Sequence, residues 1–129
     1  MSRDMIRLMQ ALFLPGAEAC QDAPWRPNTD IYQTTTGWLV KFELAGVRVE
    51  DIDLEVLGRE MRLCGVRRDY VQEMQPRAAG EGRPPMHHRM EIAYSRFGRV
   101  VELPCDLKQA HIETEYRDGM LLVHVDVTE

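Results

Sequence analysis

Thr34-Thr35-Thr36-Gly37-Trp38-Leu39-Val40-Lys41-Phe42-Glu43-Leu44-Ala45-Gly46 is the stretch on which the fold turns. Trp38, Val40, Phe42 and Leu44 fall on one side of an extended chain, and Leu39, Lys41 and Glu43 fall on the other. A period of two between turn residues describes a half-buried strand. The same reading extends in both directions. Upstream, Asp30 to Thr34 is a short strand. Downstream, Val47 to Ile52 has room for one helical turn. Ile52, Leu54 and Val56 then alternate with Asp53 and Glu55 as far as Gly58. Met61, Leu63 and Gly65 alternate with Arg62, Cys64 and Val66. Met90, Ile92 and Tyr94 alternate with Arg89, Glu91 and Ala93. Phe97 to Leu103 follows, ended by Pro104, and Cys105 to Ala110 is a connector. Ile112, Thr114 and Tyr116 alternate with His111, Glu113 and Glu115. Asp118-Gly119 is a strong hairpin signal, and Met120 to Val127 is the last strand. Seven or eight short strands with no crossover helices predict an all-β, immunoglobulin-like antiparallel β-sandwich.

Two segments fall outside this pattern. Met5, Met9 and Leu12 recur at helical spacing, with Ile6 and Phe13 beside them, until Pro15-Gly16 ends the run. Ser2 suits the N-cap and Asp4 the first turn. Residues 1–24 therefore read as an arm, a short amphipathic helix then linker, the extended stretch running from Gln21 to Asn28 with Pro24 and Pro27 around Trp25. A helix this short is marginal in water and needs a surface for its apolar stripe. That surface is its own domain, another copy of the chain, or an unfolded protein, for which flexible methionines are well suited. Residues 25–129 form the sandwich, with a long loop at about residues 67–86 whose Ala78 to Pro85 run has no periodicity. Structureless stretches of this length are often functional.

Composition narrows the function classes. The chain has 129 residues, a formal net charge of −5, 29% charged and 44% hydrophobic residues. This is an ordinary balance for one globular domain. An acidic chain is poorly suited to nonspecific nucleic-acid binding, which needs cations to neutralise phosphates. Cys20, Cys64 and Cys105 are odd in number, widely spaced and without a CxxC pair, so reduced thiols are expected. No apolar run approaches a membrane span. Arg7 and Gln10 interrupt the one N-terminal stretch that could resemble a signal peptide. A cytoplasmic protein with no membrane partner is expected.

Four stretches resemble the small heat-shock protein family, which carries the α-crystallin domain. Trp25-Arg26-Pro27-Asn28-Thr29-Asp30-Ile31-Tyr32 resembles its W-x-P-x-x-D-I-Y opening. Phe42 to Val47 with Glu50-Asp51-Ile52 resembles E-L-P-G-V…E-D-I, with Ala45 in place of the proline. Arg89-Met90-Glu91, Phe97-Gly98-Arg99 and Leu103-Pro104 resemble R-x-E…F-x-R…L-P. Asp118 to Val123 resembles N-G-x-L-x-V, with Asp118 in place of the asparagine. The four stand in order across residues 25 to 127. Members usually continue past the last strand into an I-x-I tail. Val125-Asp126-Val127 has that spacing but reads as the end of the strand, so a dimer or small assembly is expected rather than a large tail-linked one.

The resemblance implies an ATP-independent holdase chaperone that binds unfolding proteins through apolar surface. The alternative is a co-chaperone-like sandwich module that binds one defined folded partner. Client-binding candidates are Ile6, Met9, Leu12 and Phe13 on the arm, and Leu54 and Val56. By resemblance these last two line a groove between the Ile52–Leu57 and Ile112–Tyr116 strands; sandwich packing alone would put them in the core. The resemblance also implies a homodimer formed by strand exchange. The segment from His88 to Tyr94, with Met90, Ile92 and Tyr94, would add to the partner's Asp30, Ile31 and Tyr32 strand. An intramolecular hairpin is the other reading of the same residues.

Enzyme chemistry has no support in the sequence. No serine elbow, P-loop or H-E-x-x-H is present. Glu113, Glu115 and Asp118 read as a solvated face and not as catalytic carboxylates. His87 and His88 are adjacent, so on a strand they would point to opposite faces and could not easily share a metal. His124 alternates with Val123 and Val125 and faces away from the core. Arg67-Arg68 with Tyr70 is too sparse for a nucleic-acid patch. No metal and no cofactor are expected.

Overall fold

The computed structural model describes residues 22–73 and 85–127. The arm residues Ile6, Met9, Leu12 and Phe13, and the Ala78 to Arg83 part of the loop, lie outside them. Among the described residues seven strands are present: β1 (Thr29–Gln33), β2 (Gly37–Glu43), β3 (Ile52–Leu57), β4 (Glu60–Val66), β5 (Arg96–Glu102), β6 (His111–Arg117) and β7 (Met120–Asp126). A 3-10 turn at Val49–Asp51 precedes β3, where one helical turn was expected, and a short helix α1 (Tyr70–Glu73) follows β4. The strands form two antiparallel sheets, β1-β2-β7-β6 and β3-β4-β5.

The alternation that defines β2 is what builds the core. Val40, Phe42 and Leu44 are fully buried and face Leu121, Val123 and Val125 of β7. The opposite sheet contributes Ile52, Leu54, Met61, Leu63, Phe97 and Val101. Each such side chain contributes about 1.5–3 kcal/mol by leaving water. The β6–β7 turn is the two-residue type expected: Asp118 and Gly119 have φ of 53° and 79°, the pairing that matches strand twist. Gly119 also lies close under the β2 exit, where a Cβ would come within 3.0 Å of Ala45 Cα.

Three expectations change. The segment before β1 is not a free linker. Trp25 makes a parallel bridge to Phe97, and its ring meets the Phe97 ring edge-on at 5.3 Å. Gly98 N–H donates to Trp25 O at 3.0 Å, and Arg99 Nη1 donates to Pro27 O at 3.2 Å. Two sequence motifs some seventy residues apart are thus halves of one contact. Prolines prevent this strap from forming a sheet ladder but leave its carbonyls free to accept.

Second, residues 89–94 form no strand, although their alternation is as regular as that of β7. A strand needs a neighbouring edge to take up its N–H and C=O groups, and none runs beside these residues among the described ones. His87 and His88 accordingly lie in irregular chain, His87 at 3.6 Å from Asp69. Third, Cys64 is disulfide-bonded while Cys105 is a free thiol. An odd count argues against a framework but not against one bond, which needs only two suitably placed Cα atoms.

Candidate functional site

Two apolar surfaces remain uncovered. The first is a cleft of about 670 Å³ where the two sheets part, between the end of β3 and the start of β6. Val56, Leu57, Leu107, Ala110 and Ile112 form its apolar lining. Asp106, Lys108 and His111 stand at the same cleft. Leu107 is buried, whereas Leu57 is 57% exposed. The connector is tied to the turn after β3: Leu107 N–H donates to Gly58 O at 2.9 Å.

Of the two groove residues expected, only Val56 lines this cleft. Leu54 is buried in the core cluster instead. Ile52, Leu54 and Val56 share one face of β3, and burial falls along it as the strand runs out from between the sheets. Leu57, Leu107 and Ala110 were not singled out from the sequence. The Val56-Leu57 pair just before Gly58 was the one available signal, because consecutive apolar residues at a strand end break the alternation. The Leu107 and Ala110 contributions come from a connector without a period.

The second surface comprises two separate exposed stretches, the outer edge of β1 and the irregular segment 85–95. Ile31 and Tyr32 are about two-fifths exposed, and β1 pairs with β2 alone. Asp30 faces Lys41 across the ladder, with an ion pair at 3.7 Å. Met90 and Ile92 are more than half exposed, Tyr94 is 38% exposed and Met86 is 85% exposed. The structure leaves the six residues expected at a dimer interface exposed: Asp30, Ile31 and Tyr32 on an edge strand, and Met90, Ile92 and Tyr94 on a stretch with no ladder among the described residues. Met86 was missed, since it sits beyond the alternating run.

The titratable groups are tied into ion pairs on the open face of β6 and β7. Arg117 Nη2 donates to Glu115 at 2.7 Å, and His124 lies 3.3 Å from the same carboxylate. These contacts, Arg117 first, hold the Glu115 carboxyl below the usual carboxylate range. His111 Nε2 is 2.9 Å from Glu113, whose hydrogen bond and charge raise the imidazole pKa. A solvated, salt-bridged carboxylate held low, as Glu115 is, makes a poor general acid. Among the described residues, no group of three or more His, Cys, Asp or Glu could hold a metal ion. Among the same residues, no helix is long and apolar enough to cross a membrane.

Comparison with known proteins agrees with this geometry. The family model described as "Hsp20/alpha crystallin family" matches residues 30–129. The small heat shock protein C2 of Rickettsia felis is 24% identical over 103 residues, covering 80% of this chain and 61% of that protein. The chain therefore spans about three-fifths of the length of the curated relatives it matches. Among solved structures, HSP18.5 from E. histolytica is 25% identical with a TM-score of 0.61, over 79% of this chain and 88% of that one. Heat shock protein 16.0 from Schizosaccharomyces pombe is 21% identical with a TM-score of 0.64, over 81% and 89%. The latter likeness concerns the fold alone.

Proposed function

Taking as premise that the chain belongs to the Hsp20/alpha crystallin family, we propose that it is an ATP-independent holdase that captures unfolding proteins and keeps them from aggregating. Small heat shock proteins are chaperones and not enzymes, so no reaction is assigned. The observation that supports the reading is the apolar surface left open in an otherwise well-packed sandwich: the Val56–Leu57–Ile112 cleft, and the β1 edge with Met90 and Ile92. An unfolding protein exposes apolar segments that a folded one hides. Each 100 Å² buried between the two contributes about 2.5 kcal/mol, with no nucleotide needed.

The two surfaces take different tasks. The cleft, with Val56, holds client segments, joined by Ile6, Met9, Leu12 and Phe13 of the arm. The β1 edge makes the homodimer. Residues from about His88 to Tyr94 of one copy add to the outer edge of Asp30, Ile31 and Tyr32 of the other, a β-augmentation that covers an exposed edge. Larger homo-oligomers would use the arm. The compartment is the cytoplasm. Nucleic acid, membranes and cofactors have no part.

The test is light scattering from a heated client protein with and without an equimolar amount of the chain, together with the chain's mass in solution. Delayed or reduced scattering is expected, from a protein that is at least dimeric. No suppression at any temperature would sink the holdase reading. Val56→Asp should weaken suppression if the cleft carries the clients, and deletion of residues 1–24 should weaken it if the arm does. Deleting 78–83 should disturb the dimer; an intact dimer would argue against exchange.

A further inference from the structure

The excursion between β4 and β5 leaves the sandwich at Arg67 and returns at Ser95. Arg67 N–H donates to Ser95 O at 3.0 Å and closes its neck. The Arg67 side chain then does something the neck does not require. Its Nε donates to Ala93 O at 2.9 Å, and its Nη1 donates to Ala45 O at 3.2 Å. The guanidinium lies 3.8 Å from the centre of the Trp25 ring and 5.9 Å from that of Tyr94. One planar cation thus joins the strap, the turn after β2 and both sides of the neck. Through Trp25 it rests on Phe97, which is buried in the core.

The contrast with its neighbour is informative. Arg68 makes an ordinary ion pair with Asp51 at 3.1 Å. Arg67 has no carboxylate partner among the described residues and is held by carbonyls and aromatic faces. Only arginine combines a stacking plane with donors fanned out within that plane; lysine is a point charge.

We infer that Arg67 is a positioning residue for strand exchange, fixing where the donated segment begins and the direction in which it leaves. This rests on the exchange dimer proposed above. Ala93 O already accepts from the Arg67 guanidinium, and the Tyr94 ring lies near the same cation, so Ala93 and Tyr94 form a fixed root beside their own sandwich from which the donated residues leave. With the root held, Met90 and Ile92 project away from their own core and cannot fold back to close a hairpin on it. Pre-arranging a segment in its bound direction strengthens association by reducing the freedom lost on binding.

The experiment is sedimentation of the full chain across a concentration series, for the parent and for Arg67→Ala, Arg67→Lys and Arg68→Ala. Melting is measured at a concentration where each is monomeric. Arg67→Ala and Arg67→Lys should each weaken the dimer by about tenfold or more, from loss of two charge-assisted bonds and a ring stack. Arg68→Ala should stay within about twofold, as an exposed pair is worth little. In a Trp38→Phe background, Trp25 emission should change in Arg67→Lys. Rescue of the dimer by lysine would overturn the inference. So would an unchanged dimer constant with a lowered monomer melting temperature, since Arg67 would then be merely structural. Should Arg67→Ala not fold, Arg67→Lys alone decides. A parent chain that is monomeric at every concentration would overturn the exchange reading itself and this inference with it. A dimeric parent with unaltered variants would overturn only the role of Arg67.

Discussion

Leu121, Val123 and Val125 alternate with Leu122 and His124 and are buried to 1% exposure or less; Met90 and Ile92 alternate with Arg89 and Glu91 and are more than half exposed. The two stretches have the same period and comparable apolar content. β7 has β2 on one side and β6 on the other, so every N–H and C=O has a neighbour. Residues 89–92 have no such neighbour among the described residues. Alternation specifies which face a strand would bury, but not whether an edge is there to receive it. The stretch has the pattern of a strand without a ladder, and among the described residues the outer edge of β1 has no strand beside it.

The comparison breaks most visibly in the core. Phe42→Ala, opposite Leu121 and fully buried, should lower stability by about 3–5 kcal/mol, read from the urea midpoint. Ile92→Ala under the same conditions should stay within about 0.5 kcal/mol. A core-sized loss at Ile92 would mean that the segment is already packed.

Next in size is the effect on association. Ile92→Asp should weaken the dimer by roughly tenfold or more, because an unpaired carboxylate would be buried at the joint. The monomer's melting temperature should hold. An unaltered dimer would place the joint elsewhere.

A smaller loss is expected at the turn that gives β7 its partner. Gly119→Ala puts a side chain at φ 79° and against Ala45, which should cost about 1–2 kcal/mol.

The smallest effect is electrostatic. Glu113 raises the His111 pKa in the folded chain, with Asp126 adding slightly. Stability from this pair is therefore full below the unfolded histidine value and fades as pH rises through the raised folded value. Between about pH 5 and about pH 8, the melting temperature of the parent should fall slightly relative to His111→Asn. Because His111 also lines the cleft, a parallel change in client capture over that range would tie the cleft to its charge.

Much of the fold was legible because a strand announces its face by its period. The buried residues of β2 and β7 stand where their alternation puts them, as do Met61 and Leu63 of β4, and Asp118-Gly119 folds as its two residues dictate. The alternation around Met90, Ile92 and Tyr94 reads equally well, yet it forms no strand among the described residues. The cleft was read only in part. Its walls come from a strand end and from the connector around Leu107, where no period operates, and Leu54 went to the core because β3 leaves the sandwich only at Val56. The strap was read as a linker because its bonds run to Gly98 and Arg99, far along the chain.

Local chemistry alone therefore determined the sandwich, its turns and the faces of its strands. Side-chain pattern is a short-range property, written in each residue and its near neighbours. Tertiary structure decided which alternating segments acquired neighbours, where the sheets part to leave a cleft, and that Arg67, one cation among sixteen lysines and arginines, stands where four segments converge. Those outcomes depend on which backbone edges and carbonyls meet across long stretches of chain, and no local period carries that information.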